Sequence, residues 1–221
     1  LQNINRFFKG CLSSNIYADI DAKNCHPVAL KYICKINNIK CNYLTEYVNN
    51  REYKINEIIN ESKLTKTDVK LLFIISINSR LHINTYKKGN KNIKIKNNFF
   101  LSFDKEIKEI QFSLMNIYSK LKKQLINKGK NDNINGCLIN NLLCDYENKM
   151  LYEIQNSLDI NMKVLSFDGF MILEKEFNNN LIEKLNIITS KYDIKWCVKP
   201  HNLTLYDDIL NLSGNYKQFI I

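Results

Sequence analysis

A chain of 221 residues has room for one good core, and 45% hydrophobic with 24% charged residues is the composition of an ordinary globular protein. No apolar run approaches the roughly 20 residues that span a bilayer, and residues 1–12 lack the apolar stretch and small-residue cleavage site of a signal peptide. The expectation is therefore a protein without a membrane span, not secreted, working in the cytoplasm or nucleus of a host cell. The first residue is Leu1 rather than Met, which suggests a fragment or excised domain of a larger enzyme.

The net charge of +10 favours a polyanionic partner. Nearly all of it is Lys, with Arg only at Arg6, Arg51 and Arg80, in an Asn- and Ile-rich background of the kind AT-rich coding produces, so charge alone does not decide for nucleic acid. The seven cysteines are odd in number and form no Cys-x-x-Cys pair. Cys25-His26 with Cys34 and Cys41 matches no common zinc spacing, and reduced thiols are expected.

In chain order, residues 15–21 read as a strand, with Asp19 and Asp21 on one face. Asn24 is a candidate N-cap, Pro27 suits a first helical turn, and residues 28–36 have helical apolar spacing. A polar helical stretch follows over 43–62, then a helix over 65–81 that is apolar on one side, with Lys66 and Lys70 one turn apart on another. Residues 85–98, rich in Lys, Asn and Gly, read as a loop or basic arm. One long helix is expected over 99–127, a break over 129–136, and a second long helix over 137–157. Around Asp168-Gly169 lie two short apolar strands, a tight-hairpin signature. A helix over 179–190 leads to a strand over 194–198. This order predicts an α+β layer, a small antiparallel sheet with helices packed on one face.

Taken singly, Asp168 is an ordinary turn residue and Asp19 or Asp21 an ordinary strand end or cap. The arrangement gives them weight: an acidic strand-to-helix turn, a Lys-bearing helix, then an acidic hairpin. Two divalent cations clamped by carboxylates, with a cationic helix neutralising a triphosphate, are what phosphoryl transfer from a nucleotide requires.

On those residues the chain resembles the palm and fingers of a family A-like DNA polymerase, of the reduced type found in viruses, phages or plasmids. Asp21-Ala-Lys-Asn-Cys-His26-Pro27 resembles polymerase motif A, and its Pro is also similar to the family B version. Lys66-Thr-Asp-Val-Lys70 through Asn78-Ser79 resembles motif B, with Ile74 and Asn78-Ser79 replacing the family's aromatic and Tyr-Gly. Ser166-Phe167-Asp168-Gly169 resembles motif C, of which only the Asp is retained.

The resemblance implies template-directed nucleotidyl transfer in DNA replication, acting on a DNA primer–template with nucleoside triphosphates. It implies two Mg2+ held by Asp21 and Asp168, with Asp19 a neighbouring or alternative ligand. Lys70 and Lys66 would meet the triphosphate, His26 would stand under the sugar, and Asn78 would line the substrate side. It divides the chain into an N-terminal palm segment (1–40), a fingers-like helical insertion (41–130) and a C-terminal palm segment (131–221). Other replication proteins or missing N-terminal domains are its implied partners. The alternative is a catalytically degenerate palm-fold module for nucleic-acid binding or replication contacts.

The remaining candidates have plainer readings. His82 is a solvated helix end, His201 a loop residue, and Glu147 and Asp145 surface acids on a polar helix face. Trp196 is core or edge-strand packing. Residues 87–96 either track a phosphate backbone or form a basic loop.

Overall fold

The computed structural model describes residues 6–89, 91–130, 132–166 and 168–201. It is α+β, as expected. The chain divides into two compact units: residues 1–23 with 149–221, and residues 24–148.

The first unit is built on strands β1 (Tyr17–Ala22), β4 (Val164–Ser166), β5 (Gly169–Leu173) and β6 (Trp196–Lys199), in the antiparallel order β4-β5-β1-β6. In β1, Ala18, Ile20 and Ala22 are buried while Tyr17, Asp19 and Asp21 are half-buried, the period-2 pattern of a strand with one core face. That core face continues in Phe170 and Trp196, whose ring centroids are 5.8 Å apart. Trp196 Nε1 donates to Thr189 Oγ1 at 2.9 Å, and Thr189 in turn donates to the Leu185 carbonyl at 2.7 Å, so the buried indole N–H is satisfied. Helix α9 (Asn179–Ile188) supplies Leu181 and Leu185 to this core, and Asn178 caps it by accepting from the Leu181 N–H.

The hairpin differs from expectation by one residue. Ser166 pairs with Gly169, so Gly169 opens β5 rather than closing the turn. Gly169 also faces Asp21 of β1, and a Cβ there would overlap the Ile20 carbonyl and lie 3.2 Å from Asp21 Cα. The glycine thus serves close strand approach.

The second unit is helical: α2 (Cys25–Ile36), α3 (Asn42–Asn49), α4 (Arg51–Glu61), α5 (Lys66–Asn78), α6 (Asn98–Ile117), α7 (Ser119–Asn127) and the opening turns of α8 (Ile134–Ser157). Its centre is an aromatic cluster. Tyr47 stacks on Phe73 at 3.9 Å between centroids, and Phe100 and Phe103 meet Phe73 edge-on at 5.3 and 4.9 Å. All four rings are fully buried, which ties α3, α5 and α6 together.

Several expectations are corrected here. The stretch over 43–62 is two helices broken at Asn50, and the one over 99–127 is two helices broken at Tyr118. Asn24 precedes α2 in a left-handed conformation and makes no side-chain cap. The basic stretch over 85–98 is no loop: it holds a hairpin, β2 (Thr85–Lys88) paired with β3 (Lys91–Lys94). An α1 helix (Arg6–Ser13) precedes β1. Among the described residues no helix is long and apolar enough to cross a membrane. The seven cysteines are free, and Cys25 and Cys34 are buried.

Candidate functional site

The acidic residues singled out in the sequence fall in the first unit. Asp19 and Asp21 lie on the same face of β1, opposite Lys199 and Cys197 of β6. Asp168 lies in the hairpin connection beside them, its carbonyl accepting the Ala22 N–H at 3.1 Å. Lys199 Nζ reaches Asp21 Oδ2 at 3.1 Å, so the Asp21 carboxylate carries an ammonium partner. Sequence reasoning missed Lys199. Its position two residues beyond Cys197 on a strand antiparallel to β1 was the available signal. Beside them, burial pushes the Cys197 thiol pKa up. Among the described residues no three His, Cys, Asp or Glu side chains come together to hold a metal ion. Two Mg2+ would demand carboxylate oxygens on both ions, and on Asp21 one oxygen, Oδ2, is the one that Lys199 contacts.

The other singled-out residues fall in the second unit. His26, in the first turn of α2, has its Nε2 3.0 Å from Glu147 Oε1 on α8. Glu147 is only 5% exposed, so the reading of it as a surface acid is corrected: the histidine covers its charge. Lys66 Nζ forms an ion pair with Glu52 of α4 at 2.6 Å, which lowers the Glu52 carboxyl pKa, with Lys70 adding to the same field. Asn78 closes α5. Its Nδ2 donates to the Ile74 carbonyl at 2.9 Å and its own carbonyl accepts from Asn133 Nδ2 at 2.8 Å. Asn78 is therefore part of a helix end.

That helix end belongs to a buried polar network the sequence did not reveal. Asp104 of α6, 2% exposed, accepts from Ser76 Oγ at 2.6 Å and from the Ile83 N–H at 3.2 Å, and lies 2.8 Å from His82 Nδ1. Lys108 sits 3.4 Å from the same carboxylate and donates to the Ser76 and Ser79 carbonyls, each at 2.7 Å. His82 is exposed, yet it is a partner of this buried acid rather than a free helix end. Burial lowers the Lys108 pKa.

The strongest electrostatic feature of the second unit is the β2–β3 hairpin. Residues 85–96 contain Lys87, Lys88, Lys91, Lys94 and Lys96 and no acid. All five lysines are exposed. The register pairs Thr85 with Lys94, Tyr86 with Ile93, Lys87 with Asn92 and Lys88 with Lys91. One face thus carries Thr85, Lys87, Asn92 and Lys94, and the other Tyr86, Lys88, Lys91 and Ile93. The second face is tied to α5: Tyr86 Oη donates to Asp68 Oδ1 at 3.1 Å and Lys88 Nζ to Asp68 Oδ2 at 2.7 Å. The first face is left to solvent.

At the level of sequence, the chain is 28% identical over 204 residues to a protein of Sputnik virophage known as "Putative helicase V13". The match takes in 84% of this chain and 26% of the virophage protein, so the chain spans about a quarter of that relative's length. No protein-family profile matches the chain, and no solved structure matches it.

This similarity corrects the function expected from the motifs. The relative is named a putative helicase, not a DNA polymerase or nucleotidyltransferase, so the polymerase expectation is not carried further. The motif residues were persuasive through their order, and order is a weaker signal than similarity extending over most of the chain.

Proposed function

We propose that this chain supplies a nucleic-acid-contacting portion of a helicase-type enzyme. The observation that carries the reading is the similarity to the virophage protein over 84% of this chain. The charge of +10 supports it, since a polyanion is the partner such a surface attracts. So does the docked hairpin, which presents lysines on a fixed frame.

The six glycines, at 10, 89, 129, 136, 169 and 214, nowhere stand five apart, so the sequence contains no G-x-x-x-x-G-K-[S/T] loop to cradle triphosphate oxygens. The reading therefore assigns this chain contact with the strand rather than P-loop ATP hydrolysis.

On fold, we read the sheet of the first unit as palm-like, on the support of an acidic central strand flanked by a hairpin and a closing strand. Such an architecture carries no activity by itself.

The test is direct. The 221-residue chain should bind a fluorescein-labelled oligonucleotide and hydrolyse no ATP, with or without that oligonucleotide. Absence of binding at low salt, or ATP turnover by this chain, would overturn the reading.

A further inference from the structure

We infer that the outward face of the β2–β3 hairpin is the surface on which this chain grips the phosphodiester backbone of a nucleic acid, independently of base sequence. The inference rests on the proposed function and locates it.

Three observations lead there. The first is that the two faces of the ribbon have different fates. Tyr86 and Lys88 are anchored on Asp68, and Ile95, just past β3, is buried with its N–H donating to the Asn84 carbonyl at 2.9 Å. Asn97 then caps α6 by accepting from the Phe100 N–H and ties the base of the ribbon to Glu57 and Glu61 of α4. The ribbon is held at its base and along one face, so the opposite face is presented without the entropy cost of ordering a loop on contact.

The second is that the cations on the outward face are unneutralised. Lys54, Lys66, Lys88, Lys108 and Lys199 each have a carboxylate partner, whereas Lys87 and Lys94 have none among the described residues. Lys87 lies opposite Asn92 and Lys94 opposite Thr85, which makes the two lysines diagonal neighbours, about 7–8 Å apart on one face. That is the scale of successive phosphates on a strand.

The third is a recess of about 220 Å3 beside β3, with Lys63, Lys94 and Lys96 in its lining and Glu61, already engaged by Asn97, at its other side. It continues the positive surface from the hairpin towards the end of α4. Thr85, Lys87, Asn92 and Lys94 offer no aromatic platform for base stacking, so the contact is electrostatic and indifferent to sequence.

The experiment compares two double variants of the 221-residue chain in oligonucleotide binding over a range of salt concentrations. One is Lys87→Ala with Lys94→Ala. The other is Lys120→Ala with Lys123→Ala, which removes the same charge from exposed positions on α7. The hairpin variant should flatten the plot of log affinity against log salt by about 2, one per lysine, and should do so equally for two unrelated base sequences. The α7 variant should leave the slope unchanged. Equal losses in both variants, or an unchanged slope in the hairpin variant, would overturn the assignment while leaving wild-type binding, and with it the proposed function, in place. Wild-type protein that binds no oligonucleotide would overturn both. Circular dichroism and melting of the hairpin variant should match wild type, because both lysines are exposed.

Discussion

Asp68 holds two structures together: its Oδ2 accepts from Lys88 Nζ at 2.7 Å on the hairpin and from the Thr65 N–H at 2.8 Å at the start of α5. Thr65 Oγ1 accepts in turn from the Asp68 N–H at 3.2 Å, completing a capping box. One carboxylate thus fixes the helix N-terminus and the docked face of the hairpin. A change at Asp68 is felt at both.

That coupling gives a pH dependence. The Lys88 ammonium first, then the Thr65 backbone and hydroxyl, hold the Asp68 carboxyl well below the ordinary carboxylate range. A folded pKa below the unfolded one contributes stability that is present above the unfolded value and is lost as pH falls through the folded value. The hairpin should therefore stay docked through mildly acid conditions and loosen only below the ordinary carboxylate range. Asp68→Asn should remove this acid transition and leave the hairpin loosened at neutral pH. Amide hydrogen exchange of residues 85–94 as a function of pH checks both statements.

The Asp104 network makes a stability prediction. Asp104→Ala leaves Lys108, largely buried, without its carboxylate and strips Ser76 and the Ile83 N–H of their acceptor. Breaking a buried pair from one side costs about 3–5 kcal/mol. Denaturant unfolding should show a loss of that size, with Lys108→Met in the same background recovering some of it.

Gly136 is constrained by close approach. A Cβ at this position would overlap the Asn78 carbonyl and crowd the Asn133 amide that donates to it. Gly136→Ala should destabilise by about 1–3 kcal/mol through displacement of the α8 start from the α5 end. Gly129→Ala serves as a comparison: that glycine has open space around it, so its cost comes from a positive φ of 73° alone.

The thiols should separate by reactivity. Cys41 has its pKa lowered to about 6, first by the Cys34 thiol donating to it and then by the Thr45 hydroxyl, with burial opposing. Cys34, fully buried, is raised by the same contact. Iodoacetamide at pH 7 should alkylate Cys41 ahead of Cys34, and Cys34→Ala should slow the reaction at Cys41. Peptide mass mapping over time measures both.

Sequence periodicity revealed the elements whose pattern is local. The alternation in residues 17–22 marked β1, and the apolar runs around Asp168-Gly169 marked β4 and β5. The β2–β3 hairpin escaped because its strands carry only Tyr86 and Ile93 as large apolar residues, so alternation was nearly silent. The available signal was the Gly89-Asn90 pair between two four-residue strands, a hairpin turn dipeptide whose Gly89 has φ 57°. The breaks at Asn50 and Tyr118 were invisible because a single-residue interruption barely disturbs a helical period. Glu147 looked like a surface acid because its partner His26 lies 121 positions away, and nothing marked Asp104, whose partner Ser76 lies 28 away. Chain order encodes neither pairing.

The measurement that tests the central claim most directly is lysine footprinting. The 221-residue chain is acetylated briefly, free and saturated with an oligonucleotide, and each lysine is quantified by mass spectrometry. Lys87 and Lys94 should lose reactivity in the complex while Lys120 and Lys123 keep theirs. Protection of the α7 lysines with Lys87 and Lys94 still fully reactive would contradict the account.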